Sequence, residues 1–132
     1  MRRIDISSGR PWEKRYGYSR AVRIGTFFQT SLTSPADDSG RILHPGDVQA
    51  QTRQCLSIIG RALEDAGLGY SDIVATRVYL LDTTRWEEAA RAHAELVTGS
   101  RPALSFIGVA NFFDPEILVE VEVTACAAQA SP

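Results

Sequence analysis

The most regular alternation of apolar and polar positions lies near the C-terminal end, in ILVEVEVTA. Ile117, Val119, Val121, Val123 and Ala125 fall on one face of a predicted strand, and Leu118, Glu120, Glu122, Thr124 and Cys126 on the other. A second strand-like run, ALSFIGV, precedes it across a link carrying Asn111, Asp114 and Pro115, residues that favour turns. Two carboxylates on one strand face are either solvated at an edge or part of a site. Upstream, Arg2 to Ile6 reads as a short edge strand and SSGRPWEKRYG as a loop. Tyr18 to Ile24 and Thr26 to Ser31 are each of strand length and flank Gly25, which predicts a hairpin; SPADDSGRILHPGD after it reads as a surface loop.

From Asp47, a suitable N-cap, the period changes. Val48, Thr52, Cys55, Ile59, Ala62, Leu63 and Ala66 recur at steps of three and four, one stripe of a helix ending at Gly67. SDIVATRVYLLD then reads as a strand, with Val74, Thr76, Val78 and Leu80 on one face and Ile73, Ala75, Arg77, Tyr79 and Leu81 on the other. Trp86, Ala89, Ala90, His93 and Val97 mark the stripe of a second helix over Thr84 to Val97. The order predicts an α+β sandwich of two layers, a mixed sheet with both helices on one face. Tyr79, Leu81, Leu104, Phe106 and Leu118 are assigned to the second face, which is then too apolar for water and is expected to bury against other copies of the chain.

Composition narrows the chemistry more than it specifies it. The chain of 132 residues fits one domain, 1–132, and its 44% hydrophobic and 23% charged residues are ordinary for a soluble protein. A net charge of -2 gives no electrostatic reason to expect nucleic acid or an anionic membrane. No apolar run reaches the roughly 18 residues of a membrane span and no leader-like segment opens the chain, so a cytoplasmic location is expected. Cys55 and Cys126 show no ligand or redox spacing and are read as buried free thiols; His44 and His93 lack the partners of a metal site, and His93 is read as a core or interface histidine. GxSxG, Walker A and GxGxxG signatures are missing, and no cofactor is expected. Glu120 remains, with Tyr18, Thr30 and Ser31 on the hairpin. A carboxylate desolvated among apolar neighbours gains proton affinity, which suits it to exchange a proton or position water. The alternative, left open here, is that Glu120 and Glu122 pair with Arg77 or Arg23 across the sheet.

Three segments together resemble the Rid family, the YjgF-like reactive-intermediate deaminases: YGYSRAVRIGTFFQTS, QAQTRQCLSIIGRALEDAGLGYSDIVATRVYLLD, and RPALSF with DPEILVEVEVTA. The likeness runs from about Gly17 to Ala125. It implies a chorismate-mutase-like fold, a homotrimer whose sheets line a central barrel, and clefts between subunits. It further implies hydrolysis of enamine and imine intermediates to keto acids and ammonia, with Glu120 catalytic through its hold on water and Tyr18 and Ser31 lining the substrate pocket. The sequence departs from the deaminating pattern at the arginine expected after Pro102-Ala103, where Leu104 stands. An isobutyl group cannot take a substrate carboxylate as a guanidinium fork does. Leu32 replaces a usual glycine, Ala90 a frequent asparagine, and Phe106 a small or thiol residue, which makes the implied pocket bulkier and more apolar. Arg101, one residue before the proline, would have to act from a shifted position. The expected ligand is therefore a small molecule, not a simple amino-acid-derived carboxylate. The alternatives are a non-catalytic trimeric module binding a small ligand or partner, and a repurposed pathway enzyme performing cyclisation or hydrolysis on the same fold.

Overall fold

The computed structural model describes residues 2–128. Its elements in chain order are β1 (Arg3–Ile6), α1 (Pro11–Tyr16), β2 (Ala21–Ile24), β3 (Phe27–Thr30), α2 (Val48–Asp65), β4 (Ile73–Leu80), α3 (Trp86–Leu96), β5 (Ala103–Gly108) and β6 (Val119–Cys126). Six strands form one mixed sheet in the order β1-β2-β3-β6-β4-β5, with β4 and β5 the parallel pair. That pair needs a crossover, which α3 supplies. The fold is α+β, as the alternation of periods predicts.

The last strand is interior to the sheet, with β3 paired to one edge and β4 to the other. Val119, Val121, Val123 and Ala125 are fully buried beneath the helix layer, with Val78 and Leu80 of β4 and Leu56, Ile59 and Leu63 of α2. Burial of each of these valine, leucine and isoleucine side chains is worth about 1.5–3 kcal/mol. Asp47 caps α2 as expected, its Oδ1 accepting from the Ala50 N–H at 3.0 Å. Gln51, wholly buried on this helix, behaves like a piece of backbone: Nε2 donates to the Leu43 and Glu116 carbonyls and Oε1 accepts from the Leu118 N–H. These bonds satisfy a polar group in the core and fix the approach to β6.

Four features differ from the sequence expectation. The segment Pro11–Tyr16 is a helix, with Pro11 in its first turn and Gly17 closing it at φ 74°. A register irregularity between Ile73 and Ala75 puts Ile73, not Val74, into the core. Phe106 lies opposite Val78 and Leu104 opposite Thr76, so both are on the helix side of the sheet, and Phe106 packs on Trp86 with ring centroids 5.7 Å apart. The open face is instead polar at its centre: Arg77 Nε meets Glu122 Oε1 at 2.7 Å, Tyr79 donates to the same oxygen, and Thr124 joins Arg77 to Gln29. Finally, Cys55 is buried but Cys126 is exposed.

His93 is a core residue, buried against Thr76 Oγ1 at 2.9 Å, and burial lowers its proton affinity. No helix among the described residues is long and apolar enough to cross a membrane.

Close packing of α2 on the turn that follows it yields a stability test. The Tyr70 hydroxyl donates to the Leu56 carbonyl at 2.6 Å, and a Cβ on Gly60 would overlap that phenol. Gly60→Ala is expected to destabilise by about 1–3 kcal/mol in urea unfolding. Because the same phenol is involved, Gly60→Ala and Tyr70→Phe should be strongly non-additive; additive effects would show that the two groups are not in contact.

Candidate functional site

The sheet ladder is interrupted where β3 leaves β6. Pairing runs from Phe27 opposite Cys126 to Gln29 opposite Thr124, then stops. The buried Thr30 hydroxyl takes the Val123 N–H at 3.0 Å in place of a carbonyl, and pairing resumes at Thr33, which exchanges both backbone bonds with Val121. Ser31 and Leu32 lie outside the ladder. The Ser31 N–H bonds to the Arg20 carbonyl and its hydroxyl donates to the Ser19 carbonyl at 2.7 Å. The resumed pairing carries Ser34 to Glu120, where its hydroxyl donates to Oε2 at 2.6 Å.

Glu120 is 5% exposed and lies at the base of a cleft of about 550 Å³. Tyr18, Arg20, Leu32 and Ser34 line it from the hairpin side, Trp12 and Tyr16 from α1, and Phe113, 82% exposed, from the link before β6. The short helix matters here because positions 12 and 16, one turn apart, project to the same side. Its place is fixed by Glu13, whose buried carboxylate accepts from the Ser8 N–H, and by Arg10, whose Nη2 donates to the Asp37 carbonyl at 2.6 Å.

The two strand carboxylates have separate fates. Glu122 is ion-paired with Arg77, whereas Glu120 forms no ion pair among the described residues. Burial raises the proton affinity of Glu120, opposed by the Ser34 hydrogen bond and by the positive charge of Arg20. Arg20 is itself only 8% exposed. Nη1 donates to the Leu32 carbonyl and to Thr33 Oγ1, both at 3.2 Å, and the guanidinium carbon lies 5.9 Å from the Tyr18 ring centroid. Burial pushes its ordinary pKa down, with Tyr18 and Glu13 pulling the other way.

Of the sequence-predicted residues, Tyr18, Leu32 and Glu120 share the cleft. Ser31 lines a shallower groove on its far side, with Tyr18, Asp5 and Gln29. Ala90, half-buried on α3, and Leu104 and Phe106 on β5 lie elsewhere in the same chain; Leu104 lines a depression with Arg101, His93 and Val97. Arg10, Trp12, Tyr16, Arg20, Ser34 and Phe113 escaped the sequence reading. Proline at position 11 and glycine at position 17 were available as signals for α1, but nothing local distinguishes Arg20 from a surface arginine. No cluster of three or more metal-ligating side chains occurs among the described residues.

Fold and cleft together define an α+β protein with a small-molecule-sized site at one end of a mixed sheet. The profile of the family described as Endoribonuclease L-PSP matches residues 10–127. Rv2704 of Mycobacterium tuberculosis, described as a member of the YjgF/YER057c/UK114 family, superimposes with a TM-score of 0.82 at 38% identity, covering 96% of this chain and all of that one. The YjgF gene product of Escherichia coli gives a TM-score of 0.76 at 27% identity over 92% and 93% of the two chains. The uncharacterized protein SCO2049 of Streptomyces coelicolor is 33% identical over 120 residues, 91% of this chain and 89% of its own. The chain belongs to the YjgF/Rid family.

The sign of the Glu120 shift fixes a pH effect. The folded state holds this proton to higher pH than the unfolded chain, so the group's contribution to stability is full below the ordinary carboxylate pKa and is lost as pH rises through the raised one. The unfolding free energy of the wild type relative to Glu120→Gln should therefore decline as pH rises above the ordinary carboxylate range, measured by urea titration; a constant difference would mean that burial does not control this carboxylate.

Proposed function

We propose that this protein hydrolyses a reactive imine or enamine with a bulky apolar body, and that Glu120 moves the proton in that reaction. The observation that carries the reading is a buried carboxylate with raised proton affinity, held by one hydroxyl and free of an ion pair among the described residues, at the base of an aromatic-rimmed cleft. Acting on the protonated imine, to which an enamine converts by protonation at carbon, ionised Glu120 accepts a proton from water as the oxygen adds to the C=N carbon, giving a neutral carbinolamine. It returns that proton to nitrogen and then takes the hydroxyl proton as the C–N bond breaks, so that a carbonyl compound and ammonia leave and loss of the last proton to solvent restores the carboxylate. Such exchange favours a carboxyl group whose pKa has moved toward the working pH. The chain needs no metal or cofactor for this sequence of steps. A polyanionic substrate suits it less, since the protein carries a net negative charge.

We further propose that the working form is a homotrimer of single-domain chains. Three features support it: β5 pairs with β4 alone among the described strands, Phe27, Val74 and Leu81 are exposed, and the depression lined by Leu104 lies apart from Glu120 within one chain. A neighbouring copy would bring such a surface to the cleft. A non-catalytic module binding a small ligand is the competing reading, and the exposed aromatic rim favours it as much as it favours catalysis.

Ammonia release from imines generated in situ by an amino-acid oxidase separates the two. Faster release is expected with bulky apolar imines, and Glu120→Gln should lower that rate about 10²–10⁴-fold while the oligomer persists. No acceleration with any imine would leave the binding module. Light scattering should give three times the 14.5 kDa chain mass; a monomer would remove the intersubunit surface.

A further inference from the structure

Leu104 removes a guanidinium from β5 alone. The cleft at Glu120 holds a guanidinium delivered from the hairpin side. Arg20 is more than nine-tenths buried, forms no ion pair among the described residues, and uses Nη1 for both of its protein hydrogen bonds. Arg10 lines the cleft beside it, also without an ion pair among the described residues, and its buried Nε has no hydrogen-bond partner. Glu13 and Glu120 act on the Arg20 charge from a distance, but neither takes its remaining donors, and a buried N–H without an acceptor is costly. An anionic group entering here would supply that acceptor.

We propose that Arg20, assisted by Arg10, anchors a carboxylate on the ligand while Trp12, Tyr16, Tyr18 and Phe113 receive a flat apolar body attached to it. A guanidinium presents several donors in a planar fork, which matches two carboxylate oxygens, whereas Leu32 and the aromatic rim offer contact area without polar demand. This places the acid-recognising cation on the hairpin of one chain, independent of anything at position 104. The assignment rests on the cleft being the ligand site proposed above, but it does not require that the ligand be turned over.

Indole-3-acetate and its neutral near-isostere indole-3-acetamide test it by calorimetric and NMR titration of the intact protein. The acid is expected to bind about tenfold or more tightly than the amide, and the Arg20 Nε–H resonance to move with the acid alone. Arg20→Gln should bring the two affinities within about twofold of each other. Should that variant fail to fold, Arg20→Lys, which keeps the charge and loses the fork, should retain only part of the preference. Equal affinities in the wild type, no binding of either probe, or a preference that survives in Arg20→Gln would overturn the assignment. So would loss of the preference in Arg101→Gln with Arg20→Gln unaffected, which would move acid recognition to the approach to β5. Acid preference without turnover of any imine keeps Arg20 in its role and removes the hydrolase reading; turnover without acid preference does the reverse.

Discussion

The constraint on which the rest depends is the alternation of β6. Val119, Val121, Val123 and Ala125 must lie under the helices, because no other set of side chains on that strand could fill the core. Glu120, Glu122 and Thr124 are thereby forced to the opposite side, whatever awaits them there. What awaits differs along the strand. At its middle Arg77 and Tyr79 neutralise Glu122 through directed hydrogen bonds, whereas near its start the crossing segment after β3 gives Glu120 a single hydroxyl. A structural carboxylate and a chemically available one thus arise from two adjacent turns of the same pleat.

Desolvation gives the second position its character. Glu120 shares its cleft with α1, Leu32 and Arg20, and these are held by bonds that do not involve the carboxylate itself. The glutamate is consequently shaped by its neighbours without being neutralised by them. Arg20 is the residue that links the two halves of this arrangement, since it ties the hairpin exit in place and shares the cleft with Glu120 without a direct ion pair between them.

Much of the scaffold was legible from periodicity. The stripe of α2, its Asp47 cap, the hairpin around Gly25 and the alternation of β6 all follow from local pattern, and local pattern decides them. The misplacements have a common cause. Whether Phe106 and Leu104 face the helices depends on parallel register with β4, and whether Ile73 is inside depends on a bulge, neither of which a single segment encodes. The six residues of α1 are too few for a period to emerge, so its cap residues were the only trace. Glu120 stood out because a carboxylate interrupts an apolar strand. Arg20 did not, because its burial is created by Leu32 and Thr33, which reach it only after the chain has turned back.

The break in pairing between Gln29 and Thr33 has a consequence for how this scaffold can diversify. Since the Thr30 hydroxyl and the Thr33 backbone secure the neighbouring strand on either side, Leu32 contributes wall to the cleft without contributing register. Replacements there can remodel what the crevice admits while the sheet keeps its alignment. Selectivity can then drift in small steps across a lineage, uncoupled from the architecture that supports it.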